Sequence, residues 1–174
     1  MNYPQRKITR LKYWDYSENA AYFVTICTQD RACFLSDITV GALHEEPAAK
    51  LTKAGIIVQN VIESLPERYP DIKIDNYVIM PNHVHLLLQI DRERAIHESP
   101  LQEEGKRSLL SQVIGYLKMN SSKEIHALYP ERKVWQRSYH DHVVRNDNDY
   151  HEIWNYIDTN PAKWANDRYA LHQM

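Results

Sequence analysis

Residues 72 to 90, with the sequence IKIDNYVIMPNHVHLLLQI, decide how the rest of the chain folds. Two segments rich in β-branched and other apolar residues, 72 to 80 and 83 to 90, flank the dipeptide Pro81-Asn82. Such segments are typical of strands, and a Pro-Asn pair between them is typical of a turn. We therefore predict two neighbouring strands joined by a tight connection.

The segments on either side extend this pattern. The sequence predicts a strand at 20–28, a turn at 29–31, a helix at 48–65 ended by Pro66, a loop at 91–107, a helix at 108–128, a short strand within 134–145, and a helix at about 149–160 stopped by Pro161. This order predicts an α+β fold, with a ferredoxin-like antiparallel sheet, helices packed on it, and an added C-terminal helix.

Composition limits the class of protein. The chain has 174 residues, 43% apolar and 25% charged, which suits one globular domain. No apolar run approaches the roughly 20 residues of a membrane helix, and the N-terminus does not resemble a secretory signal. Cys27 and Cys33 are too few for a disulfide scaffold, so we expect reduced thiols in a cytoplasmic protein. We divide the chain into an arm (1–19), a domain (20–165) and a tail (166–174).

The pair His83 and His85 is the sharpest local feature. Residues i and i+2 of a strand project from the same face, so the two imidazoles point the same way from a rigid element. Two ligands of one divalent metal need this geometry. A bare pair of this kind also fits two solvent-facing histidines, but the strand is otherwise very apolar. Val84 is expected on the opposite face, in the core.

A second group with suitable chemistry lies in NDNDYHEIWNYIDTNP, residues 146–161. On a helix, Tyr156 and Asn160 lie one turn apart beside the apolar stripe. Two imidazoles and an amide oxygen make a mixed site with open positions, which suits Mg²⁺ or Mn²⁺. Each residue alone has an ordinary interpretation, Tyr156 as a tyrosine at the core edge and Asn160 as a helix C-terminal residue before proline.

Other residues compete for these roles. Tyr116 and Tyr139 are alternatives to Tyr156 at such a site, and His140 and His142 form a second pair that could bind metal, contact nucleic acid or pack on a strand. Net charge is −2, which argues against broad coating of nucleic acid but leaves room for a local basic surface. If the partner is a nucleic acid, the candidate contacts are Lys118, Arg137, His142 and Arg145.

The segments PNHVHLLLQ, VWQRSYHDHVVR and YIDTNP together resemble the REP-associated tyrosine transposases, which are HUH single-tyrosine transposases of insertion sequences. The resemblance covers about residues 20–165. The histidine motif with its MPN lead and the tyrosine helix are specific in combination. The histidine pair alone is shared with replication initiators and relaxases.

The resemblance implies a role for each matching residue. His83 and His85 match the metal-binding pair, Tyr156 matches the nucleophile, and Asn160 matches the helix residue that completes the metal site. It also implies Mg²⁺ or Mn²⁺, a 5′-phosphotyrosine intermediate, recognition of single-stranded or hairpin DNA, and a homodimer. No nucleotide cofactor and no membrane association are expected.

Three other functions fit parts of the sequence. A replication initiator or relaxase-type nicking enzyme would share the chemistry, although such proteins usually carry extra domains. A nuclease-dead protein that binds DNA or RNA hairpins would need no tyrosine nucleophile. A structural metal protein would show metal-dependent folding and no affinity for nucleic acid.

Overall fold

A computed structural model describes residues 19–39, 47–92, 107–166 and 170. Its elements are β1 (Ala20–Cys27), a 3₁₀ turn (Gln29–Arg31), β2 (Ser36–Thr39), β3 (Ala48–Leu51), α1 (Lys53–Arg68), β4 (Ile72–Met80), β5 (His83–Ile90), α2 (Leu109–Leu128), β6 (His140–Val143), α3 (Asp147–Thr159) and a second 3₁₀ segment (Pro161–Asn166). The strands at 72–80 and 83–90 agree with the prediction residue for residue.

The main sheet has four antiparallel strands in the order β4-β5-β1-β6. Since β1 lies between β5 and β6, the two halves of the chain interleave in one sheet, as the ferredoxin-like arrangement requires. The predicted α+β fold class is confirmed. A small antiparallel pair, β2 with β3, accompanies the sheet and is absent from the predicted order of elements.

The sheet has a different helix layer on each face. On one face, Val84 and its alternate neighbours on β5 join the large core that includes residues of α1 and α2. On the other face, Leu87 packs with Ile153 and Ile157 of α3. The predicted inward position of Val84 is confirmed. His83 and His85 alternate with Val84, so their side chains lie on the α3 face.

The start of α1 differs from the prediction. Residues 48–51 form β3, and the helix begins only after Thr52, whose side chain accepts a hydrogen bond from the Gly55 backbone N–H. The reason is the pairing of Ala48–Leu51 with Ser36–Thr39, which competes successfully with helix formation. Gly55 permits close contact there, because a Cβ at that position would lie 2.0 Å from the Leu35 carbonyl oxygen.

The end of α1 also differs, since the helix runs through Pro66 to Arg68. Proline in the last turn removes one backbone donor, and the Tyr69 N–H still closes the helix on the Leu65 carbonyl. The predicted stop at Pro66 is therefore wrong, whereas α3 ends at Thr159, before Pro161, as expected.

Some predictions lie outside the described residues, namely most of the 1–19 arm, most of the 91–107 loop and nearly all of the 166–174 tail. Over the part of the chain that the structure describes, no helix combines the length and apolar character needed to cross a bilayer. Cys27 is buried and Cys33 exposed, and neither forms a disulfide bond.

Candidate active site

The register between β1 and β5 positions the residues of the candidate site, since it pairs Thr25 with His85 and Cys27 with His83. Both imidazoles are completely buried, with 0% of their surface exposed. The interpretation of this pair as solvent-facing histidines is therefore wrong. Burying two polar rings in an apolar sheet costs free energy unless their nitrogens have partners.

The two rings face each other through the same nitrogen. His83 Nε2 lies 3.0 Å from His85 Nε2, with ring centroids 4.5 Å apart. The remaining ring nitrogens contact neighbouring side chains: His83 Nδ1 lies 2.8 Å from Asn82 Oδ1, and His85 Nδ1 lies 2.9 Å from Thr25 Oγ1. The contact at Nδ1 thus orients each ring, and the Nε2 atoms of both rings point to the same place.

Asn82 determines which nitrogen of His83 carries a proton. Its amide NH₂ donates to the Arg31 carbonyl at 3.2 Å, so its amide oxygen faces His83 and can only accept. His83 Nδ1–H must then donate, which leaves the Nε2 lone pair available in the neutral ring. Thr25 is less restrictive, because a hydroxyl can donate to or accept from His85 Nδ1. Both Nε2 atoms can therefore present lone pairs together.

Helix α3 brings the tyrosine to this pair. Asn146 caps its first turn by accepting from the Asp149 N–H, and Ile153 and Ile157 anchor it on the sheet. The Tyr156 hydroxyl lies 3.3 Å from His85 Nε2. Phe23 fills the space beside both rings, stacked on His85 at 5.1 Å and edge-on to Tyr156 at 6.0 Å. The predicted meeting of strand histidines and helix tyrosine is present in the structure.

Asn160 follows at the C-terminal end of α3 and is 1% exposed. Its amide oxygen is buried and has no hydrogen-bond partner among the described residues. One turn before Asn160, the Tyr156 hydroxyl contacts His85 Nε2. One turn after Asn160, the ring centroid of Trp164 lies 6.1 Å from that of His83. An unsatisfied buried oxygen is costly, so its presence in a folded protein calls for a ligand.

These donors fit a divalent cation. Two ligands about 2.1 Å from one metal and at right angles to each other lie about 3.0 Å apart, as in octahedral coordination. The two Nε2 atoms show this separation. The described residues contain no cluster of three or more His, Cys, Asp or Glu, and the buried Asn160 amide oxygen is the predicted third protein ligand. The metal-binding role of the three residues stays a prediction.

The second histidine pair has a different environment. His140 and His142 lie opposite Thr25 and Phe23 on β6, and both are exposed. His142 Nε2 contacts the Asp149 carboxylate at 2.8 Å, which ties β6 to the first turn of α3. Desolvation would raise the pKa of Asp149, but hydrogen bonds from His142 and the Arg145 N–H outweigh it and lower the pKa.

The four predicted DNA contacts divide into two groups. His142 and Arg145 lie near the start of α3. Lys118 and Arg137 line one cavity beside α2. The Lys118 ammonium donates to the carbonyls of Gln136, Arg137 and Ser138, and burial lowers its pKa. Lys118 therefore supports a loop, and direct contact with DNA stays a prediction for all four residues.

The two competing tyrosines have other partners. Tyr116 packs edge-on against Tyr69, with ring centroids 5.8 Å apart. The Tyr139 hydroxyl lies 3.4 Å from Ser111 Oγ on α2. Both contacts lie in the α1 and α2 layer, on the sheet face opposite the histidines. The geometry favours Tyr156 as the tyrosine of the candidate site.

The sequence motifs do not identify Thr25, Asn82 and Phe23 as parts of the site. Asn82 is adjacent to His83 in the MPN lead and could have been proposed as its partner. Thr25 and Phe23 become relevant only through the β1–β5 register and the position of α3, which no local motif encodes.

Comparison with known proteins identifies relatives at moderate identity. The chain is 28% identical over 171 residues to an uncharacterized protein of Haemophilus influenzae, covering 94% of this chain and 92% of that protein. It is 29% identical over 153 residues to a second Haemophilus influenzae protein, provisionally named REP-associated tyrosine transposase, covering 86% of this chain and 74% of the relative. No family model matches.

A solved structure with the same fold has been found. It is a REP-associated tyrosine transposase bound to a REP hairpin, with 20% sequence identity and a TM-score of 0.58, covering 88% of this chain and 74% of that one. At 20% sequence identity, the structural similarity supports a shared fold. Together with the second sequence relative, it confirms the resemblance found in the sequence motifs.

Proposed function

We propose, from the resemblance to REP-associated tyrosine transposases and the joint geometry of His83, His85 and Tyr156, that this chain cuts and rejoins single-stranded DNA beside a hairpin. The observation that carries the proposal is the 3.3 Å contact between the Tyr156 hydroxyl and His85 Nε2. That contact places a potential nucleophile next to a paired-imidazole site of the kind that binds catalytic metals.

Tyr156 is the proposed nucleophile. A free phenol has a pKa of about 10 and reacts poorly at neutral pH. In the cutting step the phenol loses its proton and its oxygen forms a bond to phosphorus. The bond from phosphorus to the 3′ oxygen breaks, and that oxygen leaves as a 3′-hydroxyl. The downstream strand stays attached through a 5′-phosphotyrosine, and attack by another 3′-hydroxyl rejoins DNA without ATP.

The remaining site residues hold and orient. His83, His85 and Asn160 would bind Mg²⁺ or Mn²⁺, which when bound draws charge from the scissile phosphate and stabilises the transition state. Asn82 and Thr25 keep both Nε2 atoms directed to one point. Phe23 restricts the Tyr156 ring to one side of His85 by packing against both.

The substrate part of the proposal rests on similarity. The solved neighbour is bound to a REP hairpin, and by analogy this chain would recognise a DNA hairpin next to the cleavage position. A homodimer is proposed on the same family basis. Recognition of a folded hairpin also agrees with the net charge of −2, because a folded target needs only a local basic surface.

A labelling experiment tests the proposal directly. The protein is incubated with Mn²⁺ and a pool of single-stranded DNA that carries a palindromic hairpin between randomised flanks. A label at the 3′ end should move with the protein in a denaturing gel, whereas a 5′ label should appear in a shorter free fragment. Failure of the unaltered protein to form any adduct with such pools would contradict the nuclease function.

Two phenylalanine variants provide the matched comparison. Tyr156→Phe should form no adduct yet bind the hairpin as before, since only one hydroxyl is removed. Tyr139→Phe should form the adduct normally, because its hydroxyl contacts Ser111 on the other face of the sheet. Retention of the adduct by Tyr156→Phe would remove that residue from the proposed role.

A further inference from the structure

His140 lies in one row across the main sheet with two residues of the candidate active site. Thr25 on β1 pairs with His85 of β5 on one side and with His140 of β6 on the other. Directly paired residues of antiparallel strands project from the same face of a sheet. Since the Thr25 hydroxyl contacts His85 Nδ1 on the α3 face, the His140 side chain lies on that face too.

The neighbours of His140 on β6 agree with this orientation. Asp141 pairs with Val24, which belongs to the core on the opposite face of the sheet. His142 lies on the α3 face again, and its imidazole contacts the Asp149 carboxylate at the start of α3. His140 is exposed and shares its row with His85, whereas His142 is two residues farther along the strand.

Tyr156 and His140 lie on opposite sides of the histidine pair. The strand order is β4-β5-β1-β6, and α3 packs on β4 and β5. Near its C-terminal end, α3 is tied to β4 by Asn76, whose amide donates to Asp158 at 2.8 Å. The Tyr156 hydroxyl therefore reaches His85 from the β4 side, whereas His140 lies beyond β1 on the other side.

This placement matches the geometry of phosphoryl transfer, in which the attacking and leaving oxygens lie roughly in line on opposite sides of the phosphorus. With the phosphate in front of the histidine pair and Tyr156 attacking, the leaving 3′ oxygen points towards β6. Neighbouring strands are about 4.8 Å apart, so the backbones of His85 and His140 are about 10 Å apart. The leaving oxygen then lies between them, where the His140 imidazole can reach it directly or through one water.

The proposed cutting step needs a proton on that side, because the 3′ oxygen leaves as a hydroxyl. The histidine pair is oriented to present lone pairs, so it accepts there and does not donate. The Lys118 ammonium already donates to the carbonyls of residues 136–138. Histidine is suited to the task, because this residue type gains and loses a proton near neutral pH.

We propose that His140 is the general acid of the cutting step, which makes it a catalytic residue of this chain. The His140 imidazolium donates its proton to the 3′ oxygen as the bond to phosphorus breaks, while the Tyr156 phenol proton passes to solvent. The products are a 3′-hydroxyl and a neutral imidazole. In rejoining, the neutral imidazole accepts the proton of the attacking 3′-hydroxyl, and the Tyr156 oxygen regains a proton from solvent. This inference rests on the proposed function, because it assigns a role within that reaction.

A sulfur-substituted substrate tests the inference. Two DNAs are compared in the presence of Mn²⁺: the hairpin DNA that the labelling experiment shows to be cut, and the same DNA with sulfur in place of the 3′ oxygen at the mapped cleavage position. Sulfur needs no proton to leave, because a thiol has a pKa of about 8.5, far below that of an alcohol. The rate of adduct formation is measured with protein in excess over DNA, so that product release does not contribute.

Three variants are compared with the unaltered protein. His140→Ala removes the imidazole. His140→Gln retains an N–H that can donate a hydrogen bond but cannot transfer its proton. His126→Gln is the control, since it replaces an exposed histidine of α2, in the helix layer on the opposite face of the sheet.

The loss of rate should depend on the leaving atom. On ordinary DNA, both His140 variants should form the adduct at least about 100-fold more slowly than the unaltered protein, which is the lower end of the range for general acids. On the sulfur-substituted DNA, they should match the unaltered protein. Once formed, the adducts of the His140 variants should also rejoin more slowly, by a similar factor, to a strand with a 3′-hydroxyl. The control should keep the normal rate in all three reactions.

Several results would overturn the inference. Equal slowing on both DNAs would mean that His140 binds DNA or supports the site without donating the proton. A normal rate for His140→Gln on ordinary DNA, or normal rejoining by the variant adducts, would also exclude proton transfer by this residue. These results require that the unaltered protein forms the adduct; if it forms none, the proposed function itself fails.

Discussion

Replacing Asn160 by alanine should separate the stability of this protein from its metal affinity. Most buried asparagines stabilise a fold through their hydrogen bonds, and truncating them leaves a partner unsatisfied. Asn160 differs, because its buried amide oxygen has no partner among the described residues. The cost of such an oxygen, about 1–3 kcal/mol, is released in the alanine variant and offsets the lost packing. Without metal, Asn160→Ala should therefore be within about 1 kcal/mol of the unaltered protein, or more stable.

The response to metal should change in the opposite direction. At an Mn²⁺ concentration 100 times its Kd, binding stabilises the unaltered protein by about 2.7 kcal/mol. Mutating residues that hydrogen-bond to metal ligands weakens metal binding by up to about 100-fold. If loss of the amide ligand has an effect of that size, the same Mn²⁺ concentration stabilises the variant by only about 0.4 kcal/mol. For a chain of this length, the Tm rise on adding Mn²⁺ should fall from about 5–11 °C to about 1 °C.

The assay is thermal unfolding followed by circular dichroism, with and without Mn²⁺, supported by calorimetric titration of the metal. Ser36→Ala is the control, since it removes a buried hydroxyl that donates to the Ile79 backbone carbonyl and not to any proposed metal ligand. It should lose about 1 kcal/mol and keep the full metal response. The reasoning is refuted if Asn160→Ala is strongly destabilised without metal yet keeps the Tm rise.

Three further predictions follow from single contacts. Thr25→Val removes the hydroxyl that contacts the buried His85 Nδ1, and it should weaken Mn²⁺ binding about 10–100-fold when measured by calorimetry. Thr25→Ser should restore the affinity, and equal Mn²⁺ affinity in the two variants would contradict this prediction. Gly55→Ala places a Cβ 2.0 Å from the Leu35 carbonyl oxygen and should lower the free energy of unfolding, measured in urea, by about 1–3 kcal/mol. An unchanged free energy of unfolding would mean that the start of α1 shifts freely. Hydrogen bonds from His142 and the Arg145 N–H lower the pKa of Asp149 in the folded protein. The ionised carboxylate therefore stabilises the fold at pH values above the unfolded pKa of about 4, and this stabilisation is lost as the pH falls through the folded pKa. Asp149→Asn should therefore be less stable than the unaltered protein at pH 7, and the difference should shrink at pH 3; a difference that persists in acid would contradict the pairing.

The fold was largely predictable because hydrophobic periodicity marks its main elements. The strands at 72–80 and 83–90 and the helices carrying Leu117 and Ile157 follow directly from that pattern. The β2–β3 pair was missed because residues 48–51 also fit the apolar spacing of the following helix. Only their pairing with residues 36–39, a contact distant in sequence, makes them a strand.

The candidate site was predictable to the extent that its chemistry is local. His83 and His85 share a face by strand periodicity, and Tyr156 and Asn160 share a flank by helix periodicity. Whether the two sets meet depends on how α3 packs on the sheet, which the sequence order does not fix. The partners Thr25 and Phe23 required the β1 register, because neither residue belongs to a motif.

Mapping the DNA-linked peptide by mass spectrometry tests most directly the claim that His83, His85 and Tyr156 form one reactive centre. After reaction with hairpin DNA and Mn²⁺, nuclease digestion should leave a nucleotide remnant on the peptide that contains Tyr156, and the variant His85→Ala should yield no modified peptide. A remnant on Tyr116 or Tyr139, or equal modification in the His85 variant, would contradict the account.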